Sequence, residues 1–345
     1  MNNNNKKTKD LVLEFLTANS NLYVSGQDIA DSLYLTRASV WKAIKSLKSS
    51  GYEIDAVTNK GYRINNTGTP LTKEGVLSYI NDKDIADNIN LFIFDEVTST
   101  NDVALNYTHL KSPYPVVVVS KKQTNGRGRR GRSFYSPTDT GIYLSFLLHP
   151  GNSPKESTIV TCLSAVALCQ AIEAITGIHP LIKWVNDIYY NEKKIAGILT
   201  EAHMQIEDNT ISNLIVGMGI NLFMPKDDFP DDIKETAGSL FETSCNDSNI
   251  KNKLCAAIIE NFISLYSCES TDDMIRDYKE RSYLIGKNIK INSYQHEDDL
   301  IKNKLSSKRH YALVKDINEK GNLIVEYEDG FTDTLTTGEV SVVKY

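Results

Sequence analysis

The sequence has few cysteines, and their placement excludes two classes of protein. Its 345 residues include five cysteines, and no two of them stand in a Cys-x-x-Cys spacing. An odd, scattered set argues against a disulfide framework and against a zinc site. It favours reduced, buried thiols and a cytoplasmic protein; the five residues are Cys162, Cys169, Cys245, Cys255 and Cys268.

The chain also lacks a segment typical of secretion or membrane insertion. Residues 1–9 are rich in asparagine and lysine and have no apolar core, so we expect no secretory signal. The longest apolar stretch, residues 159–175, contains polar residues and is too short to span a bilayer. It predicts a buried helix that begins at a capping box, residues 153–156, and ends at Gly177. We therefore expect no membrane partner.

Charge is distributed unevenly along the chain. The chain contains 38 Lys and Arg residues and 44 Asp and Glu residues. Residues 1–66 hold nine of the basic residues and six of the acidic ones, so their net charge is +3, whereas the rest of the chain has a net charge of −9. A basic segment on an acidic protein predicts that only this segment meets nucleic acid. A chain of 345 residues also exceeds what one core usually organises, so two or three domains are expected.

The pattern of residues 1–66 predicts a winged helix-turn-helix domain. Helices are predicted at residues 11–16, 25–32 and 36–47, and a two-stranded wing at residues 52–57 and 62–64. In the third helix, Val40, Ile44 and Leu47 recur at helical spacing and turn inward. The predicted DNA-contacting residues are the outward ones and a wing lysine: Thr36, Arg37, Ser39, Lys42, Lys45 and Lys60. A small helical domain for protein contacts is the alternative. The sequence leaves the role of Trp41 open between packing in the core and stacking at a surface.

The most distinctive stretch is the GRGRRGR run at residues 126–132, with four arginines and three glycines. Glycine lets the backbone fold closely over a ligand, and arginine forks pair with phosphate and carboxylate oxygens. Two apolar strand candidates, residues 115–120 and 141–148, flank the run, so we predict that it joins two buried strands of one sheet. This position favours a ligand-facing loop over the alternatives, a solvated basic loop or an RNA-binding arm.

Four motifs, in order, resemble those of the biotin protein ligases. They are Ser99-Thr100-Asn101, Gln123-Thr124-Asn125 with the GRGRRGR run, KWVND at residues 183–187 with KIAG at residues 194–197, and GMGIN at residues 217–221. The resemblance implies an α+β multidomain fold with a winged helix-turn-helix domain (1–66), a mixed-sheet α/β catalytic domain similar to class II synthetases (67–285) and a small C-terminal SH3-like β-barrel (286–345).

The periodicity of the remaining sequence predicts elements that suit this organisation. A polar linker is expected at residues 65–70, and a mobile charged loop at residues 296–308. Strands are predicted at residues 91–94, 116–120, 142–148, 188–190, 195–201 and 213–220, and helices at 101–108, 155–176 and 250–268. Shorter strands are predicted at residues 289–291, 311–317, 322–327 and 331–335, with a hairpin at Asp329-Gly330.

The resemblance also implies a reaction in which the biotin carboxylate attacks the α-phosphorus of ATP, and the resulting adenylate acylates a lysine of a carrier protein. Candidate catalytic residues are Lys194, Arg129, Arg127 and Lys183. Candidate biotin-binding residues are Ser99, Thr100, Asn101, Gln123, Arg127, Gly128, Arg129, Lys194 and Gly197. Candidate ATP or adenylate contacts are Gly126, Arg130, Asn186, Asp187 and Asn221. Biotin and ATP are then the substrates, with Mg²⁺ held through Asp187 and Asn221.

Each assignment has a simpler alternative. By composition alone, Lys194 belongs to a surface turn, and Asn186 and Asp187 are turn formers. Residues 99–101 fit a helix N-cap, which is compatible with ligand binding. The family commonly has proline at the position of Val185 and tryptophan near Phe134. Residues 237–240 resemble the family's adenylate-covering loop only loosely.

These observations together predict a cytoplasmic, bifunctional biotin protein ligase and biotin-responsive repressor. The expected partners are the biotin-carrier domain of a carboxylase, operator DNA and a second copy of the chain in a ligand-promoted homodimer. Two alternatives remain: a biotin-sensing repressor without productive transfer, and a lipoate or octanoyl ligase.

Overall fold

The computed structural model describes residues 7–19, 22–49, 52, 54–64, 70–110, 112–149, 157–205, 210–243, 245, 247–292, 310–336 and 338–343. The predicted capping box at residues 153–156, the charged loop at 296–308 and all but Pro70 of the predicted linker lie outside these residues. By internal contacts the chain forms two compact units, residues 1–79 with 245–255, and residues 80–244 with 256–345.

The structure contains short helices at the start of the chain and two long helices later. The helices are α1 (Thr8–Ala18), α2 (Gly26–Ser32), α3 (Arg37–Ser49), α4 (Lys73–Leu77), α5 (Lys83–Asn88), α6 (Thr100–Leu105), α7 (Ser157–Thr176), α8 (Ile250–Ser267) and α9 (Asp272–Glu280).

The strands form three separate sheets. They are β1 (Ile54–Val57), β2 (Gly61–Ile64), β3 (Asn90–Phe94), β4 (Val116–Ser120), β5 (Gly141–Leu148), β6 (Leu181–Lys183), β7 (Asp187–Tyr190), β8 (Lys193–Gln205), β9 (Thr210–Asn221), β10 (Asn288–Asn292), β11 (Tyr311–Ile317), β12 (Leu323–Tyr327), β13 (Thr332–Leu335) and β14 (Glu339–Val342).

Residues 7–64, which we name the head, form the predicted winged helix-turn-helix. The Ser25 hydroxyl accepts a hydrogen bond from the Asp28 amide at the start of α2, and Thr36 accepts one from the Ser39 amide at the start of α3, both at 3.1 Å. The wing is the antiparallel pair β1 and β2. The apolar core of the head includes Val40, Ile44 and Leu47, the residues of the third helix that were predicted to turn inward.

Residues 80–243, which we name the body, contain a seven-stranded mixed sheet in the order β3-β4-β5-β9-β8-β7-β6. Strand β3 is parallel to β4, and the other neighbours are antiparallel. Every residue of β4 and β5 is buried. The GRGRRGR run therefore joins two buried neighbouring strands, as predicted, while β6 was not predicted.

Helix α7 is the buried helix that the apolar stretch predicted. The expectation that this segment is too short to span a bilayer is wrong, because the helix has 20 residues and extends beyond the apolar stretch at both ends. It is the only described helix long and apolar enough to cross a membrane, and 72% of its apolar window is buried inside the protein. Two cysteines, Cys162 and Cys169, are buried in it, and Cys255 is buried in α8. The prediction of buried thiols is wrong for Cys268, which is exposed directly after α8 because the helix ends there at the surface, and Cys245 is only half-buried.

The last five strands form an antiparallel sheet in the order β13-β12-β11-β10-β14. The predicted hairpin at Asp329 and Gly330 joins β12 to β13, and Gly330 adopts φ 80°, a left-handed conformation that favours glycine. Strand β14 was not predicted; it pairs with β10 at the edge of the sheet.

Candidate active site and nucleic-acid surface

A cleft of about 470 Å³ opens in the body where the GRGRRGR loop, the start of α6 and strands β8 and β9 meet. Its lining includes all nine residues predicted to bind biotin: Ser99, Thr100, Asn101, Gln123, Arg127, Gly128, Arg129, Lys194 and Gly197. Residues from four motifs that are far apart in the sequence therefore line one cleft. This convergence is what the resemblance implied.

Glycines of the fourth motif leave room for the cleft. Gly217 and Gly219 lie two residues apart on β9, so both turn the same face of the strand toward the cleft. A Cβ atom at Gly217 would lie 2.3 Å from Asn101 Oδ1, and one at Gly219 would lie 2.4 Å from the Phe134 ring. Any side chain at either position would displace groups that line the cleft.

A hydrogen-bond network fixes the polar residues at one end of the cleft. Gln123 Oε1 accepts from the Thr100 amide at 2.9 Å and from the Thr100 hydroxyl at 3.1 Å, and Gln123 Nε2 donates to Ser136 Oγ at 3.0 Å. The buried Ser145 hydroxyl contacts both Thr100 Oγ1 and Asn101 Oδ1. Because each group has a partner, this end of the cleft is preorganised.

Two carboxylates hold the Arg127 guanidinium. It donates to Asp102, and it donates to Glu201 Oε2 at 3.0 Å; Asn101 Nδ2 also donates to Glu201 Oε2, at 2.6 Å. Pairing with Asp102 raises the pKa of Arg127. The two carboxylates thus fix the position of the predicted anion-binding arginine, and Glu201 connects it to Asn101.

Arg129 is held differently, by an amide. Its Nη1 donates to Asn186 Oδ1 at 3.1 Å, and Asn186 Nδ2 donates to the Ile198 carbonyl at 2.9 Å. Burial lowers the pKa of Arg129, and the neighbouring Arg130 lowers it further. Among the described residues no carboxylate pairs with the Arg129 guanidinium, which lines the cleft, and this favours a role in binding an anionic ligand.

Lys194 belongs to a strand and not to the surface turn that its local composition favoured. Asn191 and Glu192 form the tight turn between β7 and β8 with φ 48° and 63°, and Lys194 follows in β8. Its Nζ lies 2.6 Å from Asp187 Oδ1. The ion pair directs the ammonium group into the cleft beside a carboxylate.

Lys183 lies beside the cleft and does not line it. Its Nζ donates to the Tyr189 hydroxyl at 3.4 Å and lies 5.2 Å from the centroid of the Tyr189 ring. Burial lowers its pKa. Gly126 and Arg130 are also absent from the lining: Gly126 is buried beneath Phe134 and Ser136, and Arg130 is exposed and lies 3.8 Å from Glu339.

A second cleft of about 440 Å³ shares Phe134 and Lys194 with the first. Asn221 lines it together with Phe229 and Ala237. The Asn221 amide donates to the Gly238 carbonyl at 2.9 Å, and the Gly238 amide donates to the Lys194 carbonyl at 2.9 Å. Residues 237–240 are therefore held along the cleft by Lys194 and Asn221, although their sequence resembles the adenylate-covering loop of the family only loosely.

Several residues of the site were not predicted from the sequence, among them Phe134, Asp102 and Glu201. Phe134 lines both clefts, Asp102 follows the first motif directly, and Glu201 lies on β8 four residues after Gly197. Strand alternation places Gly197 and Glu201 on one face, so this spacing was a usable signal. The pairing of Glu201 with Arg127, 74 residues earlier, had no local signal.

The predicted DNA-contacting residues lie together on the head. Arg37, Lys42 and Lys45 are exposed on α3, Lys60 is exposed in the wing turn, Thr36 is exposed at the helix start and Ser39 is half-buried. Helix α3 contains no acidic residue. The head thus presents a basic helix beside a basic wing.

Comparison with known proteins gives the same two parts. The model of the biotin/lipoate A/B protein ligase family matches residues 91–221, and a helix-turn-helix domain model matches residues 8–63. A bifunctional ligase/repressor BirA of Bacillus spizizenii is 39% identical over 236 residues, which cover 68% of this chain and 71% of that protein. The protein of the same name from Escherichia coli is 23% identical over 342 residues, which cover 97% of each chain.

The solved structures include similar proteins. The biotin protein ligase from Aquifex aeolicus in complex with biotin and ATP superimposes with a TM-score of 0.57 at 26% identity, covering 74% of this chain and 99% of that chain.

Proposed function

The chain belongs to the family of bifunctional biotin protein ligases and repressors, and from this membership we propose that it joins biotin to a carrier-protein lysine through biotinyl-adenylate and represses transcription in response to biotin. The observation that carries the ligase half is the cleft in which four family motifs converge on Arg129 and Lys194. The helix-turn-helix match and the basic α3 carry the repressor half.

We propose that the site acts by neutralising and positioning charge. A biotin carboxylate oxygen attacks the α-phosphorus, the bond to the bridging oxygen breaks and pyrophosphate leaves with its electron pair. Lys194, in reach of both clefts, is the cation that accompanies the carboxylate and the α-phosphate, while Arg127 and Arg129 contact their oxygens. Such preorganised charges are commonly the largest contribution to transfer reactions of this kind.

The polar end of the cleft suits the biotin rings. The polar residues Ser99, Thr100, Asn101 and Gln123 are the proposed partners of the ureido group, with Gly128 and Gly197 close to the ligand. The second cleft, with Asn221, is the proposed nucleotide side. Asn186, which lines the first cleft, and Gly126, Arg130, Lys183 and Asp187, which line neither, are the further proposed contacts of ATP or the adenylate. Phe134, shared by both clefts, then lies where the two substrates meet.

Magnesium is compatible with these residues as an ion carried by the nucleotide. In the described residues no group of three or more His, Cys, Asp or Glu could hold a metal ion by itself. Mg²⁺ usually keeps several waters and takes one or two protein oxygens beside phosphates. The Asp187 carboxylate and the Asn221 amide oxygen are the proposed ligands, and the ion would offset phosphate charge.

In the second step, we propose that the amino group of a carrier-protein lysine attacks the acyl carbon, and the bond from that carbon to the phosphate oxygen breaks to release AMP. Until then Arg129 retains the adenylate in the cleft and excludes water. The finer architecture proposed is a class II synthetase-like catalytic domain at residues 67–285, a DNA-binding domain at 1–66 and an SH3-like barrel at 286–345. The proposed setting is cytoplasmic, with a ligand-promoted dimer on operator DNA.

Incubation with ATP, Mg²⁺, biotin and a biotin-carrier domain tests the ligase half. Mass spectrometry is expected to show one biotinyl group on one carrier lysine. Lipoyl or octanoyl addition from the corresponding acids, without biotinyl addition, would contradict the assignment. Adenylate formation without any transfer would favour the biotin-sensing repressor.

The variant Arg129→Gly tests retention of the intermediate. Loss of the guanidinium that Asn186 orients is expected to release biotinyl-adenylate, which then labels lysines of bystander proteins. Labelling confined to the carrier domain, at a normal rate of adenylation, would contradict the proposed role.

A further inference from the structure

The outward surface of α3 carries a large aromatic side chain that phosphate binding does not explain. Trp41 is 54% exposed, whereas the other tryptophan of the chain, Trp184, is 5% exposed. Within the described residues, the Trp41 indole nitrogen donates no hydrogen bond, while Trp184 Nε1 donates to the Gly321 carbonyl at 2.8 Å. A tryptophan with an exposed ring and an available donor is typical of an interaction surface.

The surroundings of Trp41 indicate the chemistry of the partner. Arg37, Trp41 and Lys45 are spaced by four residues and lie along one side of α3. Lys45 Nζ is 5.4 Å from the centroid of the Trp41 ring. The helix also contains Lys42 and Lys48 and no acidic residue. The cations of this helix suit the phosphates of duplex DNA. The aromatic ring among them suits the flat, partly apolar bases inside the duplex.

We infer that Trp41 is a base-contacting residue that determines sequence specificity, an inference that rests on the proposed binding of operator DNA. The second helix of a helix-turn-helix enters the major groove with its N-terminal residues toward the base edges, and Trp41 is the fifth residue of α3. Cations that contact phosphates set position and carry no sequence information. Apolar contact with the thymine methyl group does carry it.

This geometry assigns different contacts to different residues of α3. Arg37 and Lys45, on either side of Trp41, hold the flanking phosphates, and the indole packs against base edges between them. Removal of Trp41 then lowers discrimination between sequences, whereas removal of Lys45 lowers affinity for all sequences.

The test uses the intact chain with biotin and ATP and two duplexes: one that the protein selects from a randomised pool, and a scrambled duplex of equal length and composition. Trp41→Ala is expected to lower the ratio of the two affinities about tenfold, with an unchanged slope of log affinity against log salt. Lys45→Ala, the matched control, is expected to weaken both duplexes alike and to reduce the slope by about 0.9.

Two further variants separate direct contact from an effect through Lys45. Trp41→Phe keeps an aromatic ring and is expected to retain most of the affinity ratio. Trp41→Ala made in the Lys45→Ala protein is expected to lower the ratio by the same factor as in the parent protein. If that factor disappears, Trp41 acts by holding Lys45, and the inference is wrong.

Fluorescence gives an independent measurement because only one tryptophan is exposed. The selected duplex is expected to change tryptophan emission in the parent protein and to leave it unchanged in Trp41→Phe. An unchanged ratio in Trp41→Ala, or loss of self-association in that variant without DNA, would overturn the inference in favour of no role or of a protein contact. If the intact chain selects no duplex, the proposed repressor function fails, and the inference fails with it.

Discussion

The head and the body both offer lysine and arginine to anions, but the cations of the DNA-contacting helix in the head are held differently from those of the cleft. In the body, Arg127 is paired with two carboxylates, Lys194 with Asp187, and Arg129 with an amide. In the head, Arg37 and Lys42 are exposed, and no carboxylate of the described residues pairs with either.

This difference matches the two kinds of ligand. A reacting carboxylate and phosphate require cations fixed to within a fraction of an ångström, and protein carboxylates and amides supply that constraint. A DNA backbone is long and repetitive, and its binding is driven by release of counterions, for which solvated, unpaired side chains suffice. The number of cations in a region therefore says less about its task than the partners that hold them.

The largest expected effect comes from removing a fixed cation. Lys194→Ala deletes the ammonium group that accompanies the developing charge, so biotin adenylation is expected to fall about a hundred- to thousandfold. An exposed lysine of the same region, Lys226, is the control, and Lys226→Ala is expected to keep the parent rate. Pyrophosphate release checks both variants, and a Lys194→Ala rate within a few-fold of the parent would refute the assigned role.

Salt is expected to separate the two regions nearly as strongly. If Arg37, Lys42, Lys45 and Lys60 each neutralise one phosphate, raising salt from about 50 to about 200 mM lowers DNA affinity about a hundredfold. Adenylation is expected to change by no more than about twofold over this range, because short, partly buried ion pairs are weakly screened. Gel-shift and adenylation assays in the same buffers measure both. Equal salt sensitivity would mean that the contrast between fixed and solvated cations has no functional meaning.

A smaller effect is expected from the carboxylate that holds Arg127. Glu201→Gln keeps an acceptor for Asn101 but removes a charge, and we expect kcat/KM for biotin to fall about tenfold, since charge-assisted hydrogen bonds are roughly twice as strong as neutral ones. The surface carboxylate Glu96, which pairs with Lys122, provides the control variant Glu96→Gln. Steady-state kinetics in which both variants match the parent would show that Arg127 needs no fixed partner.

The smallest effect is expected for an exposed pair. Arg132 donates to both carboxylate oxygens of Glu339 at 2.7 and 2.8 Å, but 65% of its side chain is exposed. Arg132→Ala is expected to lower the free energy of unfolding by about 0 to 1 kcal/mol, as for most solvated ion pairs. Urea denaturation of this variant, of Glu339→Ala and of the double variant gives the coupling free energy between Arg132 and Glu339. A coupling free energy well above that range would show that this exposed pair is held as firmly as the ion pairs of the cleft.

Much of the fold could be predicted where one physical signal was strong. Four consecutive valines predicted β4, and the spacing of Val40, Ile44 and Leu47 predicted the buried face of α3. Short elements were missed: α4 and α5 have few apolar residues, and β6 has three residues in all. Thr72 and Asp82 cap α4 and α5 through side-chain hydrogen bonds, so a weak signal was present. Helix α9 was missed as well.

The site was only partly predictable, for a different reason. The motifs predicted which residues line the cleft, because each motif is local. They could not predict the bridge from Arg127 to Glu201 or the shared position of Phe134 between the clefts, because these depend on how distant strands align. That Trp41 is exposed could likewise be learned only from how the head packs, because the sequence alone allowed the Trp41 side chain to lie in the core.

The thiols described with α7 and α8 have a practical consequence for labelling. Burial raises the pKa of Cys162 and of Cys255 to about 12 and also raises that of Cys169. Electrophiles react with the thiolate, so these three positions stay inert near neutral pH. Cys268 is exposed directly after α8, and a maleimide dye is expected to attach there first. The natural chain thus supplies its own attachment point for single-molecule or anisotropy experiments, without an engineered cysteine.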